Sequence, residues 1–195
     1  MNLALAENYI LHELQTRLPA TLYYHSVHHT LDVTQAAMQL ATAEGVTDEA
    51  ARQLLRTAAL YHDTGFLRTF DEHEAAGCAL VREVLPGFDY TNAEVEAICA
   101  MIMATRLPQA PRSHLAQILC DADLDYLGRP DFEPIAHTLF LEFRARQLVT
   151  EDVRAWNRTQ EQFLMAHHYW TATALAWREA GKQARLADIR AQLAA

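Results

Sequence analysis

Apolar residues return every three or four positions along almost the whole of this chain, and that regularity excludes most architectures. Alternating runs rich in Val, Ile and Thr, which strands need, are absent, and the chain breakers Gly and Pro number only six each in 195 residues. The period predicts helices over 3–17 and 27–44, the second with Val27, Leu31, Thr34, Met38 and Ala41 in one row and Gly45 past its end. Thr47 is placed to cap a third helix, which runs to His62 or Asp63. A fourth is expected from about Asp71 to Leu85, ahead of Pro86-Gly87. Thr91 and Glu94 have capping-box spacing and open a fifth, ending near Thr105. Beyond a break at 107–111, Ser113 caps a sixth that ends near Leu127-Gly128, and another covers 131–148. The last 45 residues read as one or two long helices, broken near Gly181. With no linker, repeat or low-complexity segment, the expectation is one all-α domain over 1–195, a compact bundle of about seven to nine helices.

Hydrophobic residues make up 51% of the chain, enough for a sizeable core. No apolar run reaches the length of a membrane span, so no membrane partner is expected. The stretch from Met1 to Glu7 lacks a basic start, so no signal peptide is read there. Cys78, Cys99 and Cys120 stand alone in helical patterns, which suits buried thiols in a reducing, cytoplasmic setting. The formal charge is −9 and no basic patch is evident, which argues against polymeric nucleic acid as a partner. A small anion could still be held where a metal and a few arginines reverse the local field. A homodimer is left open.

Three places carry chemistry. Ala51, Leu55, Ala58 and His62 share an inward helical face, and Asp63 follows at once, with Gly65 as a way out of the helix. An imidazole and a carboxylate thus stand together at the lip of a core, and both are ligands for borderline divalent metals. His25, His28 and His29 cluster at the start of the second helix, where His25 and His29 can share a face. Asp121, Asp123 and Asp125 alternate in an otherwise apolar run, where ionised carboxylates need partners. Spacing alone does not choose between Asp121 and Asp123.

Read together, these places resemble the HD superfamily of metal-dependent phosphohydrolases, whose signature is a histidine, then a His-Asp pair, then a later aspartate. Tyr24-His25 followed by His29-Thr30 looks like the first motif, and His62-Asp63-Thr64-Gly65-Phe66 like the second. Asp121-Ala122-Asp123-Leu124 with Leu127-Gly128 looks like the last, and His73-Glu74 with Gly77 resembles an accessory histidine motif. The segment with Phe163, Leu164, His167, Tyr169 and Thr171 is similar to a small bacterial subgroup of unassigned substrate. The resemblance implies an HD-type bundle with its motifs within 23–128, and C-terminal helices over 131–195 packed on it. The apolar stripe Val153, Trp156, Phe163, Leu164, Trp170, Ala174 and Trp177 supports that packing.

The resemblance also implies roles. His29, His62, Asp63 and Asp121 would hold one divalent ion, of Mn, Fe, Co, Ni, Zn or Mg. Asp63 would accept a proton from the attacking water, and His25 or His73 would serve as the general acid. Thr105 stands where binuclear members carry a further histidine, which favours a single metal. Phe66 stands where nucleotidase members carry a Glu, which disfavours a nucleoside-monophosphate phosphatase. Arg106 and Arg68, with Arg129 behind them, are candidate phosphate clamps, and Thr105 a candidate substrate contact. The expected activity is hydrolysis of a small phosphate ester or nucleotide, as a phosphomonoesterase or phosphodiesterase. The alternatives are a non-catalytic regulatory domain that binds a metal and a nucleotide and, further off, a di-iron oxygenase. His167-His168 reads as a satisfied or exposed pair.

Overall fold

The computed structural model describes residues 1–150 and 152–195. Among them, nine α-helices and three short 3-10 turns account for the regular structure, and no strand occurs. The helices are α1 (Leu3–Arg17), α2 (Val27–Ala43), α3 (Glu49–Tyr61), α4 (His73–Val84), α5 (Asn92–Thr105), α6 (His114–Asp123), α7 (Phe132–Ala145), α8 (Val153–Ala166) and α9 (Ala172–Ala194). Helix α2 packs on α3 and α6, and α5 packs on α3, α4 and α6. Their shared core includes Leu40, Leu55, Ile98, Ile102 and Leu119, with Ile10 of α1 against it. A smaller apolar cluster joins Tyr24 to Leu127, Phe132, Leu164, Leu186 and Ile189, so α7, α8 and α9 meet the chain just ahead of α2. No helix among the described residues is long and apolar enough to cross a membrane.

Several helix ends follow the expected chemistry. Thr91 and Glu94 form both halves of the capping box on α5, and Ser113 caps α6. Asp48, not Thr47, caps α3, its carboxylate accepting from the Ala51 amide at 2.9 Å. Helix α6 stops at Asp123, and a separate 3-10 turn, Asp125–Gly128, completes the segment expected to be one helix. In α2 the row through Leu31 is only partly inward, with Thr34 and Ala41 buried but Leu31 45% exposed. The buried residues are His29, Val33, Ala37 and Leu40, with Thr30, Thr34, Ala36 and Ala41 beside them. Helix α2 lies between two neighbours, so two adjacent rows are covered.

Two close approaches position the elements that matter. After α3 ends at Tyr61, the chain tightens into the 3-10 turn Thr64–Leu67. A Cβ on Gly65 would lie 1.8 Å from the His73 carbonyl oxygen, so glycine lets this turn touch the start of α4. The second approach corrects the reading at Gly181. The chain breaks at 167–171, between α8 and α9, while Gly181 lies inside α9. There it crosses the 3-10 turn Asp125–Gly128, and a Cβ on Gly181 would stand 2.1 Å from the Gly128 carbonyl oxygen. Of the C-terminal stripe, Trp156, Leu164 and Ala174 are buried, whereas Val153 and Trp177 are exposed.

The Gly181 crossing reverses the usual effect of alanine in a helix. Helix propensity alone would make Gly181→Ala stabilising by about 1 kcal/mol. Contact with rigid backbone should instead make it destabilising by about 1–3 kcal/mol. Gly87→Ala, where a Cβ would meet nothing within 4 Å, should shift stability by less than about 0.5 kcal/mol. Denaturant melts of the two variants check the contrast.

Candidate metal centre and the cavity beside it

The imidazoles of His29, in α2, and His62, at the end of α3, approach Nε2 to Nε2 at 3.3 Å, and both are buried. The His62 Nδ1–H donates to the Ala59 carbonyl at 2.8 Å, which fixes the ring with Nε2 facing His29. Two carboxylates flank the same pair of nitrogens. Asp63 Oδ2 lies 3.3 Å from His29 Nε2 and 3.2 Å from His62 Nε2. Asp123 Oδ1, from the end of α6, lies 3.2 and 3.4 Å from the same two nitrogens. Two imidazoles and two carboxylates brought this close need positive charge between them. Burial opposes ionisation of Asp63, yet the His62 imidazole, with His29 and His73 close by, holds its carboxyl well below the usual range. Asp123 is likewise held low, by His29 and His62 against its own burial. Burial works against the charged form of His62 as well, but Asp63 and Asp123 raise its pKa well above the usual value.

A divalent cation fits this cluster. Asp63 Oδ2 is buried with no hydrogen-bond partner, an orphaned acceptor aimed at the two nitrogens. Ligand atoms of His29, His62 and Asp123 all lie within 4.8 Å of one another, the one such group among the described residues. The nitrogen and oxygen donors suit a borderline first-row metal.

Asp121, expected as a ligand, is not part of the cluster. Its carboxylate accepts from the Trp170 and Thr171 amides, each at 2.8 Å, and from the Thr171 hydroxyl at 2.7 Å. It therefore anchors the start of α9, helped by Glu44, which accepts from the Thr173 amide at 2.9 Å. Burial raises the Asp121 carboxyl, against the pull of those hydrogen bonds. Asp125 pairs with Arg178 at 2.6 Å.

The histidines ahead of α2 divide by role. His28 is exposed and takes no part. His25 borders the cavity beside the cluster, and its Nδ1 meets Glu142 Oε1, a partner from α7 that sequence reasoning missed. Glu142 Oε2 also accepts from the Tyr24 and His25 amides, at 2.9 and 3.0 Å. The His25 ring is thereby held with Nε2 as its remaining nitrogen. His73 Nε2 stands 3.4 Å from Asp63 Oδ1, and its ring stacks on Phe66 with centroids 4.0 Å apart. Phe66 also faces His25, at 4.4 Å, so this side chain spaces the two histidines.

The cavity, of about 250 Å³, is bordered by Asp63, Asp123, His25, His73 and Thr105, then by apolar residues of α7 and α8. Thr105 donates its hydroxyl to the Ile102 carbonyl at 2.8 Å. The two arginine clamps expected from the sequence do not border it. Arg106 is exposed and pairs with Glu72 at 2.5 Å, and Arg68 pairs with Glu83 at 2.6 Å. Arg129 pairs with Asp32 and Asp131. Each guanidinium is paired with a carboxylate that is not part of the cavity lining. His167 does not border the cavity either. It sits beside Lys182, and burial together with that ammonium pushes its pKa down to about 4.

The family model of the HD domain matches residues 27–125, which takes in His29, His62, Asp63 and Asp123. Among solved structures, the chain is similar to a predicted HD superfamily hydrolase from an uncultured Thermotogales bacterium. The two are 23% identical over 96% of this chain and 91% of that one, with a TM-score of 0.62, a likeness of fold. No curated protein matches.

Two expectations follow from the site. Asp123→Ala should abolish tight metal binding in calorimetry. Asp121→Ala should keep it while lowering stability by about 1–3 kcal/mol, because three donors lose their acceptor. Glu142 supplies a pH test. Burial opposes its charge, but the His25 side chain and the Tyr24 and His25 amides hold its pKa below the usual 4.5. A carboxyl depressed in the folded state stabilises above its unfolded value, and that stability is lost as pH falls through the folded value. Glu142→Gln should therefore be less stable than the parent at pH 7, and the gap should close as pH drops below about 4.5. Urea melts across that range measure it.

Proposed function

Since this chain belongs to the HD domain family, we propose that it is a metal-dependent phosphohydrolase acting on a small phosphate monoester. The observation that carries the reading is the meeting of His29, His62, Asp63 and Asp123 around the orphaned Asp63 Oδ2, at the edge of a cavity. These four residues would hold the ion. When bound, a divalent ion there supplies Lewis acidity, lowering the pKa of water and withdrawing charge from the phosphoryl group.

The remaining chemistry belongs to the chain. Asp63 takes the proton of the attacking water, and His73, 3.4 Å from Asp63 Oδ1, holds that carboxylate in place. The water oxygen forms a bond to phosphorus as the bond from phosphorus to the ester oxygen breaks. His25, oriented through Nδ1 by Glu142, delivers a proton from Nε2 to the leaving oxygen, so the products are an alcohol and phosphate. Glu142 acts through His25 and is a positioning residue.

With Mn or Co added, the protein should hydrolyse small phosphate monoesters, and His62→Ala should remove the activity. His25→Ala should slow an ester with a poor leaving group by about 10²–10⁴-fold and spare one with a good leaving group. Steady-state rates on alkyl and nitrophenyl phosphates make the comparison. Equal loss on both would remove His25 from the role of acid, and metal-independent turnover would overturn the reading.

A further inference from the structure

The cavity beside the four ligands has two unlike halves. One is the polar rim of Asp63, Asp123, His25, His73, Glu74 and Thr105. The other is built by the 3-10 turn Asp125–Gly128, α7 and α8, with walls that include Leu127, Leu139, Phe143, Trp156 and Phe163. Of the polar side chains in that second half, Tyr126 pairs its hydroxyl with that of Tyr24, and the others are turned to their own helix. Thr159 donates its hydroxyl to the Ala155 carbonyl at 3.3 Å, and Gln160 donates its amide to Asn157 Oδ1 at 3.3 Å. No lysine or arginine borders either half among the described residues.

Resting on the phosphohydrolase reading, we propose that the substrate is the phosphate monoester of a small apolar alcohol, its hydrocarbon part held between α7 and α8. The argument is one of complementarity. A nucleoside part would need convergent hydrogen-bonding groups for base and ribose, and burying it without them costs affinity. A polyphosphate would need cations beyond one metal ion. The walls instead offer aliphatic and aromatic carbon, which repays each buried methylene with about a fourfold gain in binding. The volume of about 250 Å³ falls below the roughly 300 Å³ at which pockets for drug-sized ligands begin. That limits the alcohol to a short chain or a single ring.

The test uses the full chain loaded with Mn and straight-chain alkyl phosphates from methyl to octyl. The expected result is a rise in kcat/KM of about fourfold per methylene until the cavity is filled, then a plateau. Non-hydrolysable alkylphosphonates, titrated by calorimetry, should bind in the same order of chain length. Leu139→Trp, which adds bulk to the apolar wall, should lower the ratio of octyl to methyl turnover and end the rise at a shorter chain. Turnover that is flat with chain length, or a preference for nucleoside monophosphates over alkyl esters, would overturn the proposal and leave the hydrolase reading standing. Alkylphosphonates that bind in order of length while no ester is hydrolysed would support the apolar pocket and overturn the hydrolase reading instead. Phosphonate binding that ignores chain length would overturn the proposal whatever the kinetics.

Discussion

Everything at this site depends on a conflict of like groups in a buried place. Two imidazole nitrogens face each other at 3.3 Å, with two carboxylates 3.2–3.4 Å from both. In water such a set would disperse. Here three elements hold it together: α2 brings His29, the end of α3 brings His62 and Asp63, and the end of α6 brings Asp123. Each ligand lies in or next to a helix whose other residues are locked in the core, so the cluster cannot relax without moving Leu40, Leu55 or Leu119. The stability of the bundle thus sustains an arrangement that is unfavourable without a cation.

The surrounding elements refine that centre. The touch of Gly65 on the start of α4 carries His73 to Asp63. Helix α7 reaches back from the far end of the cavity and fixes His25 through Glu142. Helix α9 is pinned at its start by Asp121 and Glu44, and along its length by the crossing of Gly181 over Gly128. The C-terminal helices therefore do more than cover apolar surface. They supply the wall of the cavity and, through Glu142, the orientation of His25.

Much of this was readable in the sequence because helical period is a local property. The capping box at Thr91, the inward face ending at His62 and three buried thiols all follow from residues within a few turns of each other. What was not readable depends on contacts between distant segments. Asp121 and Asp123 are both near the end of α6, and only the position of α9 shows which one meets amides 50 residues on and which one meets the histidines. Glu142 sits 117 residues from His25, in a helix end where an acidic residue among arginines reads as solvated. Gly181 looked like a helix break because its reason, the Gly128 backbone, is remote in sequence. The arginines have the fork geometry of phosphate clamps, but carboxylates outside the cavity already occupy them.

The central claim is that His29, His62, Asp63 and Asp123 hold one divalent ion through both imidazoles. Titrating metal-free protein with Mn²⁺ under electron paramagnetic resonance, with pulsed detection of nitrogen couplings, tests it most directly. The account predicts a single tight ion per chain, coupled to two histidine nitrogens, with one coupling lost in His29→Ala. Tight binding without histidine nitrogen couplings, or a pair of exchange-coupled ions, would contradict it.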